Sequence, residues 1–278
     1  MSSMKISLMT VSVNAEATIT DAMQSVWDQV LPDGVELDYV VVDGLSKDRT
    51  VEKIRTFAEM VAKADRKDFS FRWVSEKDDG LYDAMNKGIR MAEGEVIGIV
   101  NSDDMLNAPD VIAKVAAAAA DGTEVLYGSV RFVPTATTYA NLAKTPCTRY
   151  VWPKWWRPWM ETWGWTPPHP GLYIRKSAYE KYGSYRADCE ISADDEIIMR
   201  LVRKCGASTK YLPVCTVAMR LGGKSTQAKN LILQNRELVA FNRDNGYWCC
   251  LPMMFPKLGI KALEIILPKV YHFVGLKL

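Results

Sequence analysis

Two adjacent aspartates, Asp103 and Asp104, are the residues of this 278-residue sequence that first suggest chemistry. They lie in the stretch GIVNSDDML, where an apolar run ends in polar residues before hydrophobicity resumes at Met105. Hard divalent cations such as Mg²⁺ and Mn²⁺ prefer carboxylate oxygens, so the pair predicts a metal site that would also hold a diphosphate. A second interpretation is that Asp104 or Asn107 caps a helix beginning at Ala108, although two carboxylates exceed what one cap requires.

A further aspartate, Asp43, ends the apolar segment LDYVVVD, which predicts a buried strand. At the end of such a strand its carboxylate can accept hydrogen bonds from a base or a ribose of a nucleotide. Asp48 and Thr50 follow in the same motif, VVDGLSKDRT, and are more typical of a helix N-terminus.

The segment SEKDDGLYDAMNKGIRMAEGE predicts a helix that begins after Gly80 and presents free backbone N–H groups to an anion. Asn86 and Lys87 lie further along this helix. The acidic residues before it, taken alone, are typical of an ordinary loop; they are Glu76, Asp78 and Asp79.

Three acidic residues, Asp194, Asp195 and Glu196, open a predicted helix in the motif ISADDEIIMRL. Acids in a first helical turn are stabilised by the helix dipole, which is the simpler explanation. A buried aspartate beside bound substrate could instead serve as a general base, and three acids exceed what the dipole explains.

Residues 149–170, RYVWPKWWRPWMETWGWTPPHP, hold six of the nine tryptophans and follow neither a helical nor a strand period. One interpretation is a loop that packs its indoles on the core. The other is a flap that binds an acceptor, because indole faces stack on the C–H faces of sugars.

The elements that must position these motifs alternate in the first half of the chain, which predicts an α/β fold with a mainly parallel sheet. Predicted strands span residues 5–13, 37–42, 69–74 and 96–100, and predicted helices span 16–30, 49–64, 82–92 and 108–120. The polar loops that follow the strands should meet at the carboxyl edge of the sheet, where such folds bind ligands. Later predicted elements are strands at 125–133 and 171–175, helices at 193–204 and 224–243, and a helical tail at 252–278 with breaks at Pro256 and Pro268.

Composition narrows the class of protein. A net charge of +2 gives no support for a nucleic-acid partner. Six cysteines without a CxxC pair or a histidine at metal-binding spacing favour free thiols in a reducing cytoplasm. We expect neither a signal peptide nor a membrane span.

The stretch LGGKST is no P-loop, because Ala218 stands where the first glycine is needed.

The last fifth of the chain, residues 224–278, carries eight basic and three acidic residues among many apolar ones. This predicts an amphipathic extension that contacts an anionic membrane surface. The alternative is that the extension packs on its own domain or on a second subunit.

The ordered set of motifs resembles the family-two inverting glycosyltransferases of bacterial surface-polysaccharide synthesis, most closely the O-antigen and colanic-acid type. The resemblance runs across nearly all of residues 5–225 and includes TVSVNA, VVDGLSKDRT, SEKDDGLYDAMNKGIRMAEGEVIGIVNSDDML, YGSV, PPHPGLYIRKSAYEKYG, ISADDEIIMRL and MRLGGKST. It implies a GT-A fold, Rossmann-like, over residues 1–222, with a nucleotide-sugar half at 1–107 and an acceptor half at 108–222. Residues 223–278 would form the helical extension.

The same resemblance implies roles for individual residues. The implied donor-binding residues are Thr10, Ser12, Asn14, Asp43, Asp78, Asn86, Lys87 and Asp103. Asp104 would be the more direct ligand of Mn²⁺ or Mg²⁺, with Asp103 nearer the ribose, and Asp194 would be the catalytic base. Ala193 stands where many members have glutamate, which makes the choice between Asp194 and Asp195 less secure. His169 and Trp165 would lie near the donor diphosphate or the acceptor.

The implied activity is a metal-dependent, inverting transfer of a sugar from a nucleotide sugar, UDP-linked, to a hydroxyl of a glycan or a polyprenyl-linked acceptor. The implied location is the cytoplasm, at the inner face of the cell membrane. Two alternatives are a sugar-phosphate nucleotidyltransferase and a non-catalytic nucleotide-sugar-binding protein. The first should carry a Gly-rich basic loop where this chain has TVSVNAEAT. Against the second, four acids remain in place; they are Asp43, Asp103, Asp104 and Asp194.

Overall fold

The structure is a computed structural model and describes residues 4–222, 228–250 and 256–273. The chain folds into a mixed sheet with helices on both faces. The strands are β1 (Met4–Ser12), β2 (Val35–Asp43), β3 (Phe69–Ser75), β4 (Val96–Ile99), β5 (Met105–Leu106), β6 (Val125–Val133), β7 (Arg149–Val151), β8 (Leu172–Arg175) and β9 (Thr209–Arg220). The helices are α1 (Ile19–Trp27), α2 (Thr50–Ala64), α3 (Leu81–Met91), α4 (Val111–Ala119), α5 (Lys176–Tyr182), α6 (Ala193–Ile198), α7 (Ala228–Asp244) and α8 (Pro256–Phe273).

The strand order is β3-β2-β1-β4-β8-β6-β9-β5, with β7 paired to β6. The first four strands are parallel, whereas β8 runs antiparallel to both β4 and β6. In the parallel half, Ser12, Asp43 and Ser75 lie side by side as the last residues of β1, β2 and β3. The predicted mainly parallel α/β sheet is therefore confirmed, and its carboxyl edge gathers the polar loops.

Successive side chains along the buried strands point to opposite faces of the sheet, so the core is divided between these two faces. Leu8 and Tyr39 pack with α1, α2 and α4 on one face. Met9 and Val40 pack with α3, α5 and α6 on the other. Covered on both faces, β1 and β2 form a rigid base for the loops at their carboxyl ends.

Three strands that follow β4, namely β5, β7 and β9, were not predicted, although β9 is twelve residues long. Its sequence TKYLPVCTVAMR contains Pro213, and proline in a run argues against a central strand. The predicted helix at 193–204 is α6 followed by a π-helical segment, Met199–Lys204.

The predicted break at Pro268 is wrong, because α8 continues through it. Proline removes only one helical hydrogen bond, and Glu264 holds this helix on the domain by an ion pair with Arg149 of β7 at 2.5 Å. The expected start of the preceding helix at Lys224 lies outside the described residues, as do most of LGGKST and both ends of the 252–278 tail. Within the described chain, no helix has the length and apolar content needed to cross a bilayer.

Candidate functional site

Asp43 is held at the end of β2 by donors from both neighbouring strands. The hydroxyls of Ser12 and Ser75 donate to its two carboxylate oxygens at 3.2 and 2.7 Å. Ser46 donates twice, from its hydroxyl at 2.5 Å and from its backbone N–H at 3.0 Å. Four donors match the acceptor capacity of one carboxylate, so these contacts fix the orientation of the Asp43 side chain.

The loop after β1 is joined to the loop after β2 through Asn14. This residue has a positive φ of 50°. Its backbone N–H donates to the Ser46 hydroxyl at 2.8 Å, and its side-chain oxygen accepts the N–H of Lys47 at 2.9 Å. The two loops therefore form one wall of the sheet edge.

Thr10, another predicted donor-binding residue, lies inside the core. It is fully buried, and its hydroxyl donates to the carbonyl of Val100 at 2.6 Å and lies 2.8 Å from the Tyr39 hydroxyl. Both contacts join neighbouring strands, so in this arrangement Thr10 supports the edge from below and does not face it.

Lys87 and Asp78, predicted apart in sequence as donor-binding residues, are brought together. The Lys87 ammonium lies 2.7 Å from Asp78 Oδ1 and 2.9 Å from Glu76 Oε1. Asp78, and then Glu76, hold the pKa of Lys87 above its ordinary value. A Cβ on Gly44 would lie 3.0 Å from Asp78 Oδ2, so glycine at this position lets the loop after β2 approach Asp78.

Asn86, by contrast, faces the interior and fixes Tyr185. Its side-chain amide donates to the Tyr185 carbonyl at 2.8 Å and accepts the Tyr185 N–H at 2.9 Å. The Tyr185 hydroxyl in turn lies 2.7 Å from His169 Nε2. Burial lowers the pKa of His169 to about 4, so its ring is neutral at pH 7.

The adjacent aspartates differ in environment. Asp104 is buried, accepting from the Asn101 side chain at 2.8 Å and from the Arg220 N–H at 3.3 Å, whereas Asp103 is half-buried. Burial and the neighbouring charge of Asp103 hold the pKa of Asp104 well above its ordinary value. The alternative of a helix cap is excluded, because α4 begins at Val111.

These residues fit a cation that takes few protein ligands. No three His, Cys, Asp or Glu side chains in the described chain form a cluster that could hold a metal by themselves. Mg²⁺, however, is commonly bound through one or two carboxylates plus substrate phosphates. Two adjacent carboxylates, one of them buried beside the other's charge, match that donor set.

Asp194, at the start of α6, is half-buried and close to the Tyr82 hydroxyl, at 3.3 Å. The same hydroxyl donates to the carbonyl of Ile191 at 2.5 Å. Burial raises the pKa of Asp194 to about 6. A carboxylate with this pKa is suited to take a proton near neutral pH.

Asp195 is more firmly engaged than its neighbour. It is buried, accepts from the Thr166 hydroxyl at 2.5 Å, and lies 3.5 Å from the Gln234 side-chain nitrogen on α7. The structure therefore differentiates the two acids, with Asp194 the less constrained.

The tryptophan-rich segment, residues 149–170, contains both buried and exposed indoles. Trp156 is buried and packs edge-on against Tyr127. Trp165 is half-buried and makes a hydrogen bond with Glu264 of α8. The remaining indoles are exposed; they are Trp152, Trp155, Trp159 and Trp163. Part of the segment is thus core, and part is free surface.

Sequence reasoning missed several residues that hold this site, chiefly Arg220, Tyr82 and Glu237. Arg220 lay within the quoted motif MRLGGKST and Tyr82 within the quoted DGLYDAMNK. Glu237 had no local signal, because it acts across 45 residues or more.

Comparison with known proteins adds a family match. The model of glycosyl transferase family 2 matches residues 7–182. A glycosyltransferase of Mycobacterium tuberculosis is 28% identical over 218 residues, covering 76% of this chain and 73% of the relative. A PGL/p-HBAD biosynthesis glycosyltransferase of Mycobacterium bovis is 23% identical over 219 residues, covering 77% of this chain and 76% of the relative.

Solved structures share the fold. A mannosyltransferase from Pyrobaculum calidifontis, in complex with GDP-Man and Mn²⁺, aligns with a TM-score of 0.62 at 20% identity, covering 93% of this chain and 69% of that one. TarS 1-349 of S. aureus, in complex with UDP-GlcNAc, aligns with a TM-score of 0.61 at 18% identity, covering 86% of this chain and 66% of that one. The chain thus spans just under two thirds of this TarS fragment.

Proposed function

Because the chain belongs to glycosyl transferase family 2 and is a glycosyltransferase with a GT-A fold, we propose that it transfers a sugar from a UDP-sugar to an acceptor hydroxyl with inversion of configuration. The observation that carries the proposal is the separation of two acidic sites. Asp103 and Asp104 follow β4, whereas Asp194 opens α6 with a pKa raised to about 6.

In the proposed reaction, Asp194 takes the proton of the acceptor hydroxyl. The acceptor oxygen forms a bond to the anomeric carbon as the bond from that carbon to the diphosphate oxygen breaks, and the nucleoside diphosphate leaves from the opposite face. Tyr82, 3.3 Å from Asp194, keeps the carboxylate oriented. Asp195 accepts a hydrogen bond from the Thr166 hydroxyl, which supports Asp194 rather than Asp195 as the base.

At the donor end, Asp104 and Asp103 would hold Mn²⁺ or Mg²⁺. When bound, the cation would neutralise negative charge on the diphosphate. Asp43 and Asn14 sit in the wall that we propose borders the nucleotide, together with Ser12. Asp78 and Lys87 stand beside that wall and are proposed to contact the donor.

For the acceptor we propose a hydroxyl of a glycan or polyprenyl-linked saccharide of surface-polysaccharide synthesis, O-antigen or exopolysaccharide in type. His169 and Trp165 are proposed to border it. The neutral ring of His169 supports a hydrogen-bonding role, since it carries no charge that would compete with the base.

We also propose that α8 contacts an anionic membrane at its cytoplasmic face. One side of α8 packs on the domain through buried Glu264. The solvent-facing side of α8 exposes four apolar residues at the i, i+3, i+4, i+7 spacing of one helical face: Leu263, Ile266, Leu267 and Val270. Such a stripe beside exposed Lys269 is typical of a helix that lies in a membrane interface.

The test is a panel of UDP- and GDP-sugars assayed with and without Mn²⁺ for thermal stabilisation, donor hydrolysis and transfer. Mn²⁺-dependent stabilisation by a UDP-sugar, with hydrolysis or transfer, is the expected result. Binding without turnover on any acceptor would favour the non-catalytic alternative. In a parallel assay with added pyrophosphate, its consumption, with formation of a nucleoside triphosphate and a sugar 1-phosphate from the nucleotide sugar, would favour a nucleotidyltransferase.

A further inference from the structure

One carboxylate of α7, that of Glu237, gathers three consecutive backbone N–H groups of the loop before α6. Its Oε1 accepts the N–H of Glu190 at 3.1 Å, and its Oε2 accepts those of Ile191 at 3.3 Å and Ser192 at 2.9 Å. Hydrogen bonds to a charged acceptor are stronger than neutral ones, so this contact fixes the loop firmly.

The loop is also held from the other side. The Tyr82 hydroxyl of α3 donates to the Ile191 carbonyl at 2.5 Å. The N–H and the carbonyl of Ile191 are therefore bound by two different helices. Asp194 follows only three residues later, at the second position of α6. A short helix entered through a fixed loop carries its first side chains in a fixed direction.

The same face of α7 reaches α6 a second time. Gln234, three residues before Glu237, has its side-chain nitrogen 3.5 Å from Asp195 Oδ2. The backbone carbonyl of Gln234 also accepts the Ser192 hydroxyl at 3.4 Å. Residues three apart on a helix share one face, so α7 presents both contacts together. The start of α6 is clamped by an element outside residues 7–182, the part that matches the family model.

From these contacts we propose that Glu237 is a positioning residue that presets the orientation of Asp194 for proton abstraction. The proposal rests on the proposed role of Asp194 as the base. It gives α7 a role in the reaction, which differs from the membrane contact proposed for the exposed stripe of α8.

Charge provides a second link between the two residues. The groups that face the Asp194 carboxylate are the Tyr82 hydroxyl of α3, the Tyr185 hydroxyl, the backbone N–H of Asp195 and the Glu237 carboxylate of α7. Burial is the largest cause of the raised pKa of Asp194, and the negative charge of Glu237 raises it further. Replacing that charge should lower the pKa of Asp194.

The test compares Glu237→Gln with Glu59→Gln, a control that makes the same change at an exposed site on α2. Glutamine keeps one acceptor oxygen but loses the other and the charge. Hydrogen exchange of the amides of residues 190–192 should accelerate by about 10-fold or more in Glu237→Gln and stay unchanged in the control. In steady-state transfer, kcat should fall between about 10-fold and 100-fold with KM for the donor unchanged, because misplaced groups cost the chemical step.

The pH profile distinguishes positioning from general loss of structure. In Glu237→Gln the acid limb of kcat/KM should move to lower pH, and Glu237→Asp should recover part of kcat. Unchanged exchange at residues 190–192 together with unchanged kcat would overturn the proposal, as would a uniform loss of donor binding and kcat. The exchange measurement does not depend on turnover. A wild-type enzyme inactive on every nucleotide sugar, with the exchange result intact, would therefore contradict the proposed function and not the clamp.

Discussion

The backbone N–H of Arg220 donates to Asp104 Oδ1 at 3.3 Å, although 116 positions separate the two residues. The Arg220 side chain also donates to the Asp103 carbonyl at 2.7 Å and pairs with Asp21 of α1 at 2.5 Å. Arg220 is buried at the end of β9. One residue thus ties the turn that carries both aspartates to the far end of the sheet and to α1.

Replacing Arg220 with methionine should cost stability, because the Asp21 carboxylate loses its cationic partner and the Asp103 carbonyl loses its donor. Breaking a buried ion pair from one side costs about 3 kcal/mol of unfolding free energy, measurable by urea denaturation. The control is Arg49→Met, which removes an exposed pair with Glu52 and should change stability by less than about 1 kcal/mol. Equal stabilities for the two variants would contradict this account of Arg220.

Asp104→Asn should lower activity without lowering stability. The substitution removes a buried charge beside Asp103, so the urea midpoint should stay the same or rise. Transfer should fall by at least about 100-fold, as expected when a group that stabilises developing charge is lost. Mn²⁺-dependent thermal stabilisation by a UDP-sugar should disappear with it. A variant that keeps this stabilisation would remove Asp104 as the metal ligand.

The parallel half of the fold was predictable because its information is local. Apolar runs such as LDYVVVD specify strands covered on both faces, and the polar residue that ends each run must reach the carboxyl edge. Asp43 and Asn14 were placed in this way. Thr10 was predicted at the same edge, but it lies two residues before the end of β1, on the same face as Ser12, and its hydroxyl donates to the Val100 carbonyl inside the core.

The rest of the site depends on contacts across long stretches of chain. Proline in β9 and the small size of β5 concealed two strands, and with them the place of Arg220 beside Asp104. Glu237 reaches the loop at residues 190–192 from a helix that sequence analysis treated as an extension. No local pattern encodes such pairs, because neither member needs the other for its own secondary structure.

Asp194→Asn should abolish transfer and leave donor binding intact. In the wild type, kcat/KM should rise with pH through an apparent pKa of about 6, because the base must be deprotonated. The folded-state pKa lies above the unfolded value of about 4, so this carboxyl stabilises the fold at low pH and that contribution is lost as pH rises through the folded pKa. The stability of the asparagine variant relative to wild type should therefore increase as the pH rises from about 4 to above 6, and thermal unfolding across this range measures it. Full activity in the variant would remove Asp194 as the base.

Ile266→Ser should weaken binding to vesicles that contain anionic lipid, because Ile266 is at the centre of the exposed stripe of α8 and is 52% exposed. Losing one buried apolar side chain at the interface should lower the partition coefficient by about 10-fold. Ile232→Ser is the matched control, since Ile232 of α7 is 62% exposed and lies off this stripe. Cosedimentation at low and high salt measures both effects, and transfer to a water-soluble acceptor should be unchanged in either variant. Loss of a dimer in Ile266→Ser, with vesicle binding unaltered, would instead assign the stripe to contact between two copies of the chain.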